Sequence, residues 1–197
     1  MKQNATQMRT IAGALILVEV FWTLFRVYNL HSPWRQNLPL HISDFSFICL
    51  VLGLLSQRIL FCNLTLLIGV PVAFLAMAFP VISEIGAWRT IAIIRFYTTH
   101  SAIFLGGLYF FRLSDLSPPD FRKFHQAYLV TMGYGVALIP LNKFLSTNYF
   151  FTQYPPNSLP LPLHRLPWSV YFPSACLFFY FLFLTWWCLL SFFGKSK

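Results

Sequence analysis

Apolar residues in this chain collect into long runs, and short polar segments separate the runs. Each run has close to the ~20 residues that an α-helix needs to cross ~30 Å of hydrocarbon. The six runs are roughly Ile11–Tyr28, Leu38–Leu55, Ile59–Phe79, Ile91–Phe111, Ala127–Leu145 and Trp168–Phe193. The pattern therefore predicts an all-α fold, a polytopic membrane protein in which residues 1–197 form a single bundle of about six transmembrane helices.

Glycine and proline mark two places inside these predicted helices. The third run contains Gly69, Val70 and Pro71 in sequence, and a proline inside a helix removes a backbone hydrogen bond and clashes with the preceding turn. We expect a kink there. Gly133 and Gly135 in the fifth run predict a close contact with a neighbouring helix, because small residues let helices approach in lipid.

The composition agrees with a membrane location, since 57% of the 197 residues are hydrophobic and only 10% are charged. The net charge of +9 does not predict a nucleic-acid partner, because the basic residues lie at the ends of the runs rather than in one stripe. Six spans would put both termini on one side, with eight basic residues there and four on the other. By the positive-inside rule, both termini are predicted to be cytoplasmic, in a multi-pass protein of the plasma membrane. Membrane phospholipids are then its surroundings, and no oligomeric state is predicted.

Ionisable side chains inside the runs are rare, and each costs roughly 2.5–3.5 kcal/mol at the centre of a membrane unless a partner or a function compensates. Glu19 and Arg95 lie in the first and fourth runs, and two interpretations stay open for them. They could form an ion pair between the two helices. Alternatively Arg95, or Arg26, could bind the phosphate of a lipid head group with two parallel hydrogen bonds.

A second polar group opens the second run, where the stretch NLPLHISDFS contains His41, Ser43 and Asp44. In a helix, Ser43 points about 160° away from His41, so a base for its hydroxyl must come from another helix. His100, in RFYTTHSAIF of the fourth run, is the histidine that fits. The helical rise puts Ser43 and His100 in the same half of the bilayer, with depths that differ by ~6 Å.

A hydroxyl becomes a useful nucleophile when a neighbouring imidazole takes its proton, so a Ser43–His100 pair would suit acyl transfer or hydrolysis without a cofactor or metal. The developing oxyanion would need hydrogen-bond donors. Asn148, and Asn142 earlier in the fifth run, are predicted on the same side of the membrane and are candidates.

Two other functions are compatible with the same residues. His41 and Asp44 lie one turn apart, and with His100 they could hold a metal ion and its bound water in a membrane hydrolase. Alternatively Glu19 and Arg95 could join them in lining the polar cavity of a small-molecule transporter or substrate-binding component without chemistry.

Four motifs in order, LPLHISDFS, FYTTHS, LNKFLSTNYFFTQYPPNS and PWSVYF, resemble the YwaF-like integral membrane family. Bacterial members of that family are similar to a eukaryotic multi-pass acyltransferase that remodels ether phospholipids. The resemblance implies a nucleophile and a histidine on two helices, acting on acyl lipid, and His100 matches the family histidine.

Ser43 departs from the family, which usually has cysteine at this place in an LPLHxC pattern. A thiolate forms near neutral pH and an alkoxide does not, so the exchange lowers intrinsic nucleophilicity. The resemblance also implies that four further matching residues orient, polarise or bind the head group: His41, Asp44, Asn148 and Tyr149. Together these features predict a lipid-directed acyltransferase or lipid hydrolase with Ser43 as nucleophile, His100 as base and Arg95 in support.

Overall fold

The computed structural model describes residues 2–82, 88–114, 117–156 and 161–194. Within them the chain forms six long helices and no strand, so the predicted all-α fold is confirmed. The helices are α1 (Lys2–Tyr28), α2 (Ile42–Ser56), α3 (Ile59–Ala78), α4 (Arg89–Leu113), α5 (Phe121–Leu145) and α6 (Trp168–Phe193). Short helical turns lie at Trp34–Gln36, Tyr149–Phe151 and Leu161–His164.

Four of the helices are long and apolar enough to cross a membrane, at Ala5–Tyr28, Ile59–Ala78, Arg89–Leu113 and Trp168–Phe193. The remaining two helices, α2 and α5, are not both long and apolar enough by the same measure, so the count of six membrane spans stays a prediction. The second helix has 15 residues because it begins at Ile42 rather than at Leu38. Pro39 explains the later start, since a proline disfavours helical backbone at the residue before it.

The proline in α3 produces a local change of helix type. Residues Thr65–Gly69 form a π-helical turn, in which Val70 N donates to Thr65 O, and Pro71 follows directly. In that pattern the next donor would serve Leu66 O, and proline has no N–H to give. The indole Nε1 of Trp186 in α6 donates to Leu66 O instead, at 2.8 Å. The irregular turn therefore joins α3 to α6.

Helices α2, α3 and α4 approach one another closely at glycines. A side chain at Gly106 of α4 would meet Leu50 of α2 at 2.3 Å, and one at Gly53 of α2 would meet the Phe110 ring at 2.8 Å. At Gly107 a Cβ would lie 2.3 Å from Val70 Cγ2 and 3.1 Å from a backbone oxygen of α3. These three helices form the centre of the bundle.

The two glycines of α5 behave differently from the expectation. Gly135 receives the ring of Phe150, which a Cβ would meet at 3.0 Å, but Phe150 belongs to the segment after α5 rather than to a neighbouring helix. Gly133 has no atom within 4 Å of its Cβ position. The prediction that both glycines serve a helix–helix contact is wrong, because the chain folds back over α5 at one and leaves the other open.

The glycine contacts generate a paired test of packing. We expect Gly107→Ala to lower the free energy of unfolding by about 1–3 kcal/mol, because the new methyl group must displace Val70 and approach backbone. Gly133→Ala, in open space, should leave stability unchanged or raise it slightly through helix propensity. Detergent-titration unfolding of the purified variants measures both, and equal behaviour would contradict the packing described for α4.

Candidate functional site

Contacts between α2 and α4 set the relative depth of Ser43 and His100. Leu50 lies against Gly106, and Gly53 lies against Phe110, so residues in contact differ by 56 or 57 in number. The two helices run in the same direction. Extending this register outward by two turns puts Ser43 level with residues 99 and 100. The predicted difference in depth is thereby reduced to about one residue's rise, ~1.5 Å.

The same register shows which way the side chains face. Ser43 lies on the stripe of α2 that contains Leu50, the residue that contacts Gly106. On α4, Thr99 shares the stripe of Gly106, and His100 shares that of Gly107, which faces α3. Ser43 and His100 thus meet the same seam between α2, α3 and α4.

The imidazole of His100 is buried, with 5% of the residue exposed, and its Nδ1 lies 2.7 Å from Phe96 O. A carbonyl oxygen can only accept, so Nδ1 carries the hydrogen and Nε2 of the neutral ring holds a free lone pair. The Phe96 ring stacks on the imidazole, with centroids 4.1 Å apart. His100 is therefore held in the tautomer that a general base needs.

The hydroxyl of Ser43 is half-buried and makes no hydrogen bond to any described residue. No hydrogen bond joins it to His100 in this part of the chain, so a common depth for the two residues stays a prediction from the register. Ser46, one turn deeper on the same stripe, is buried and donates to Ile42 O at 2.8 Å. The two serines differ, because the hydroxyl of Ser46 is occupied by its own helix.

Asp44 and His41 build the start of α2. Asp44 Oδ2 accepts from the backbone N–H of His41 at 2.8 Å, in a capping box that satisfies a donor at the helix start. The His41 ring lies between the rings of Tyr149 and Phe151, at centroid distances of 5.0 and 5.4 Å. A carboxylate and a histidine precede the apolar run because they hold the helix N-terminus in place.

The segment after α5 is organised by Asn142, which is fully buried. Its Nδ2 donates to Tyr149 O and to Thr152 Oγ1, both at 2.8 Å. Its Oδ1 accepts from Thr147 Oγ1 and from Tyr149 N, both at 2.9 Å. Every hydrogen-bonding position of this amide is used within the segment, which leaves none for an oxyanion.

Asn148 and Tyr149 likewise bind backbone. Asn148 donates to Tyr154 O at 2.8 Å and accepts from Gln153 N at 3.0 Å. The Tyr149 hydroxyl donates to Arg35 O at 2.6 Å and accepts from Leu38 N at 2.9 Å. Burial raises the pKa of Tyr149, so the phenol stays protonated and able to donate. Asn148 therefore closes the turn after α5, and Tyr149 positions the chain that leads into α2.

Two phenylalanines of this segment have left-handed backbone, with φ of 58° at Phe150 and 50° at Phe151. Such a conformation costs a bulky residue about 1–3 kcal/mol and persists where surrounding contacts impose it. Here Tyr171 donates to Phe151 O at 2.6 Å, and Trp168 donates to Thr152 O at 2.8 Å. Helix α6 thus holds the segment against His41 and the start of α2.

Glu19 and Arg95 form an ion pair between α1 and α4, so the first of the two interpretations of these residues agrees with the structure. The other carboxylate oxygen of Glu19 accepts from the hydroxyl of Thr99, which neighbours His100. Asp44 interacts electrostatically with both members of the pair. The ionisable groups therefore form one polar layer around the Ser43–His100 level.

His41, Asp44 and His100 do not form a group that could hold a metal ion, and the described ranges contain no other such group of histidine, cysteine or acidic side chains. Two of the three are engaged at the start of α2, where Asp44 Oδ2 accepts from the backbone N–H of His41 and the His41 ring packs against Tyr149 and Phe151. The three-ligand interpretation has no geometric support.

Two residues that contact the candidate site were not singled out in the sequence prediction. Thr99 lies one turn after Arg95, and this i, i+4 spacing, which lets one carboxylate reach both, was a readable signal. Tyr134 of α5 donates to Leu40 O at 3.0 Å and stacks on Phe45 with centroids 4.8 Å apart. Nothing local in the sequence indicates that second contact, because it joins residues 94 positions apart.

Comparison with known proteins gives one match. The family model described as the TMEM164 family matches residues 1–189, which is nearly the whole chain. No curated protein and no solved structure matches the chain.

The partly buried ion pair of Glu19 and Arg95 can be tested by a double-mutant cycle. We expect Glu19→Gln and Arg95→Gln each to lower the free energy of unfolding by about 1–3 kcal/mol, because each leaves a charge unpaired among helices. The double variant should lose less than the sum. Lys123→Gln serves as control, since the Asp120–Lys123 pair is exposed and should matter little. Additive losses in the cycle would show that the two charges do not interact.

The Asn142 network predicts a local effect. We expect Asn142→Ala to lower stability by at least ~2 kcal/mol and to speed hydrogen exchange of residues 147–152, because it removes four hydrogen bonds from buried partners. Asn148→Ala, at a more exposed position with two bonds, should have the smaller effect. Equal exchange in both variants would contradict the central role of Asn142.

Proposed function

Because the chain belongs to the TMEM164 family, a family of membrane proteins, we propose that it catalyses acyl transfer from a membrane lipid through Ser43 and His100. The acceptor is a second lipid or water, which makes the protein an acyltransferase or a lipid hydrolase. The reaction lies in the half of the bilayer remote from the termini. The YwaF-like motifs support the same choice of substrate.

The observation that supports the proposal is the register of α2 on α4: extended outward by two helical turns, it predicts that Ser43 and His100 lie at about the same depth beside α3. The hydroxyl is half-buried and has no other hydrogen-bond partner among the described residues. The imidazole has its Nδ1–H fixed on Phe96 O, which leaves Nε2 to take a proton.

The chemical steps follow from these roles. Ser43 Oγ attacks the ester carbonyl carbon while His100 Nε2 takes the hydroxyl proton. The tetrahedral intermediate collapses, the ester bond breaks, and the imidazolium returns the proton to the departing lysolipid alkoxide. An acceptor hydroxyl, deprotonated by the same nitrogen, then attacks the acyl-serine; the bond between the acyl carbon and Ser43 Oγ breaks, and the imidazolium returns the proton to Ser43 Oγ. Glu19 lies close to this imidazole along the chain of contacts, since its carboxylate accepts from the hydroxyl of Thr99, the neighbour of His100.

The oxyanion can be stabilised by the start of α2 rather than by the asparagines. Ser43 is the second residue of this helix, whose cap is His41. The first N–H groups of a helix lack partners within it and carry the positive end of the helix dipole. Those of Ile42 and Ser43 therefore lie beside the nucleophile, as in acyl-transfer sites that use backbone donors. The hydrogen bonds of Tyr149 to Arg35 O and Leu38 N, and of Tyr134 to Leu40 O, keep this helix start fixed.

A fluorophosphonate lipid probe tests the nucleophile, because it forms a stable bond with an activated serine. We expect the detergent-purified protein to be labelled and the Ser43→Ala variant to be unlabelled. The His100→Gln variant should be labelled at a rate at least about 100-fold lower. Labelling is measured by in-gel fluorescence and its position by peptide mass spectrometry.

Ser46→Ala is the matched control, because its hydroxyl lies on the same stripe but is bonded to Ile42 O. It should be labelled like the unchanged protein. Ser43→Cys should keep acyl transfer through a thioester, which hydroxylamine cleaves. Labelling that persists in Ser43→Ala would contradict the assignment of Ser43 as the nucleophile. A labelling rate that does not change in His100→Gln would contradict the assignment of His100 as the base.

A further inference from the structure

Two arginines line a cavity of about 90 Å³ on the outer side of the proposed reaction level. It lies between α1, α4 and the chain just after α3, and its walls include Trp22 and Arg26 of α1 and Ala92, Arg95 and Phe96 of α4. None of the described lining residues is acidic. The described walls therefore consist of two arginines and otherwise of apolar residues.

Arg95 is only partly used by its ion pair. One terminal nitrogen donates to Glu19, whereas Nε is buried and has no hydrogen-bond partner among the described residues. A buried donor without an acceptor is costly, and a charged donor more so. An anionic oxygen in the cavity would supply the acceptor.

We propose that this cavity binds the phosphate group of the lipid substrate, with Arg26 and Arg95 as its ligands. A guanidinium can give two parallel hydrogen bonds to phosphate oxygens, and Trp22 and Phe96 offer apolar walls for the glycerol end of the lipid. The inference rests on the proposed function for the identity of the lipid as substrate, but the binding step does not require the chemistry.

The distance along α4 suits such a substrate. Residues 99 and 100, at the level of Ser43, lie four to five residues deeper than Arg95, which corresponds to about 7 Å of helix. In a glycerophospholipid the ester carbonyl is separated from the phosphate by the glycerol unit alone. A phosphate at Arg95 would therefore place an ester at the depth of the hydroxyl and the imidazole.

Lipid retention in native mass spectrometry tests the site without any reaction. We expect the purified protein to retain phosphatidylglycerol about tenfold more tightly than diacylglycerol of the same acyl chains, because the latter lacks the phosphate. Arg26→Gln should abolish most of this difference. Arg35→Gln is the matched control, because Arg35 is exposed and lies outside the cavity.

A second variant guards against loss of fold. Ala92→Leu fills the cavity from its wall without changing a charge, and it should weaken phosphatidylglycerol binding while thermal stability is kept. Equal binding of the two lipids, or equal binding by Arg26→Gln and Arg35→Gln, would overturn the proposal. Displacement by millimolar inorganic phosphate would support the phosphate site and assign the soluble ion as its ligand.

The two proposals fail separately. Ser43→Ala should bind phosphatidylglycerol as the unchanged protein does, whatever its labelling by the fluorophosphonate probe. Intact lipid selectivity without serine labelling would leave a phosphate-binding membrane protein and remove the reaction. Labelling at Ser43 without lipid selectivity would keep the nucleophile and remove this cavity as the head-group site.

Discussion

The direct packing of α2 on α4 is the constraint on which the rest of this structure depends. In lipid, helices gain little from hydrophobic burial against each other, so close van der Waals contact at small residues carries the association. Leu50 lies directly on Gly106, and the Phe110 ring lies on Gly53, which leaves no freedom for one helix to slide along the other. A slip of one residue would rotate Ser43 by ~100° away from the seam.

At the outer end of the bundle, the non-helical backbone lies close to hydrocarbon, and its N–H and C=O groups need hydrogen-bond partners from the protein. Such backbone is tolerated where protein groups satisfy it. Asn142 serves the chain after α5, and the hydroxyls of Tyr134 and Tyr149 serve the chain before α2. Because Tyr149 takes part in both, the two irregular segments hold each other, and the strained backbone of Phe150 and Phe151 is compensated by contacts that also fix the start of α2.

Sequence patterns predicted the helices well, because burial in a membrane needs long apolar runs that are visible residue by residue. They also offered an ion pair as one of two interpretations of Glu19 and Arg95, and the structure contains that pair. The bonds of Asn148 and Tyr149 could not be predicted from their positions alone. Whether an amide faces a substrate or a nearby carbonyl depends on a turn whose φ values are positive at phenylalanine, a choice that no local propensity favours. For the same reason the role of Tyr134 could not be predicted, because its partner, Leu40 O, is distant in sequence.

The polar layer connects the outer cavity, lined by Arg95, with the turn of α4 that carries His100. Arg95 lines the outer cavity and is paired with Glu19, and Glu19 accepts from Thr99, the neighbour of His100. An anion that draws the guanidinium of Arg95 toward the cavity would weaken its hold on the carboxylate. Thr99, which neighbours His100, would remain bonded to the same carboxylate. In this arrangement the cavity and the turn of α4 that carries His100 are linked, because a single carboxylate binds both Arg95 and Thr99.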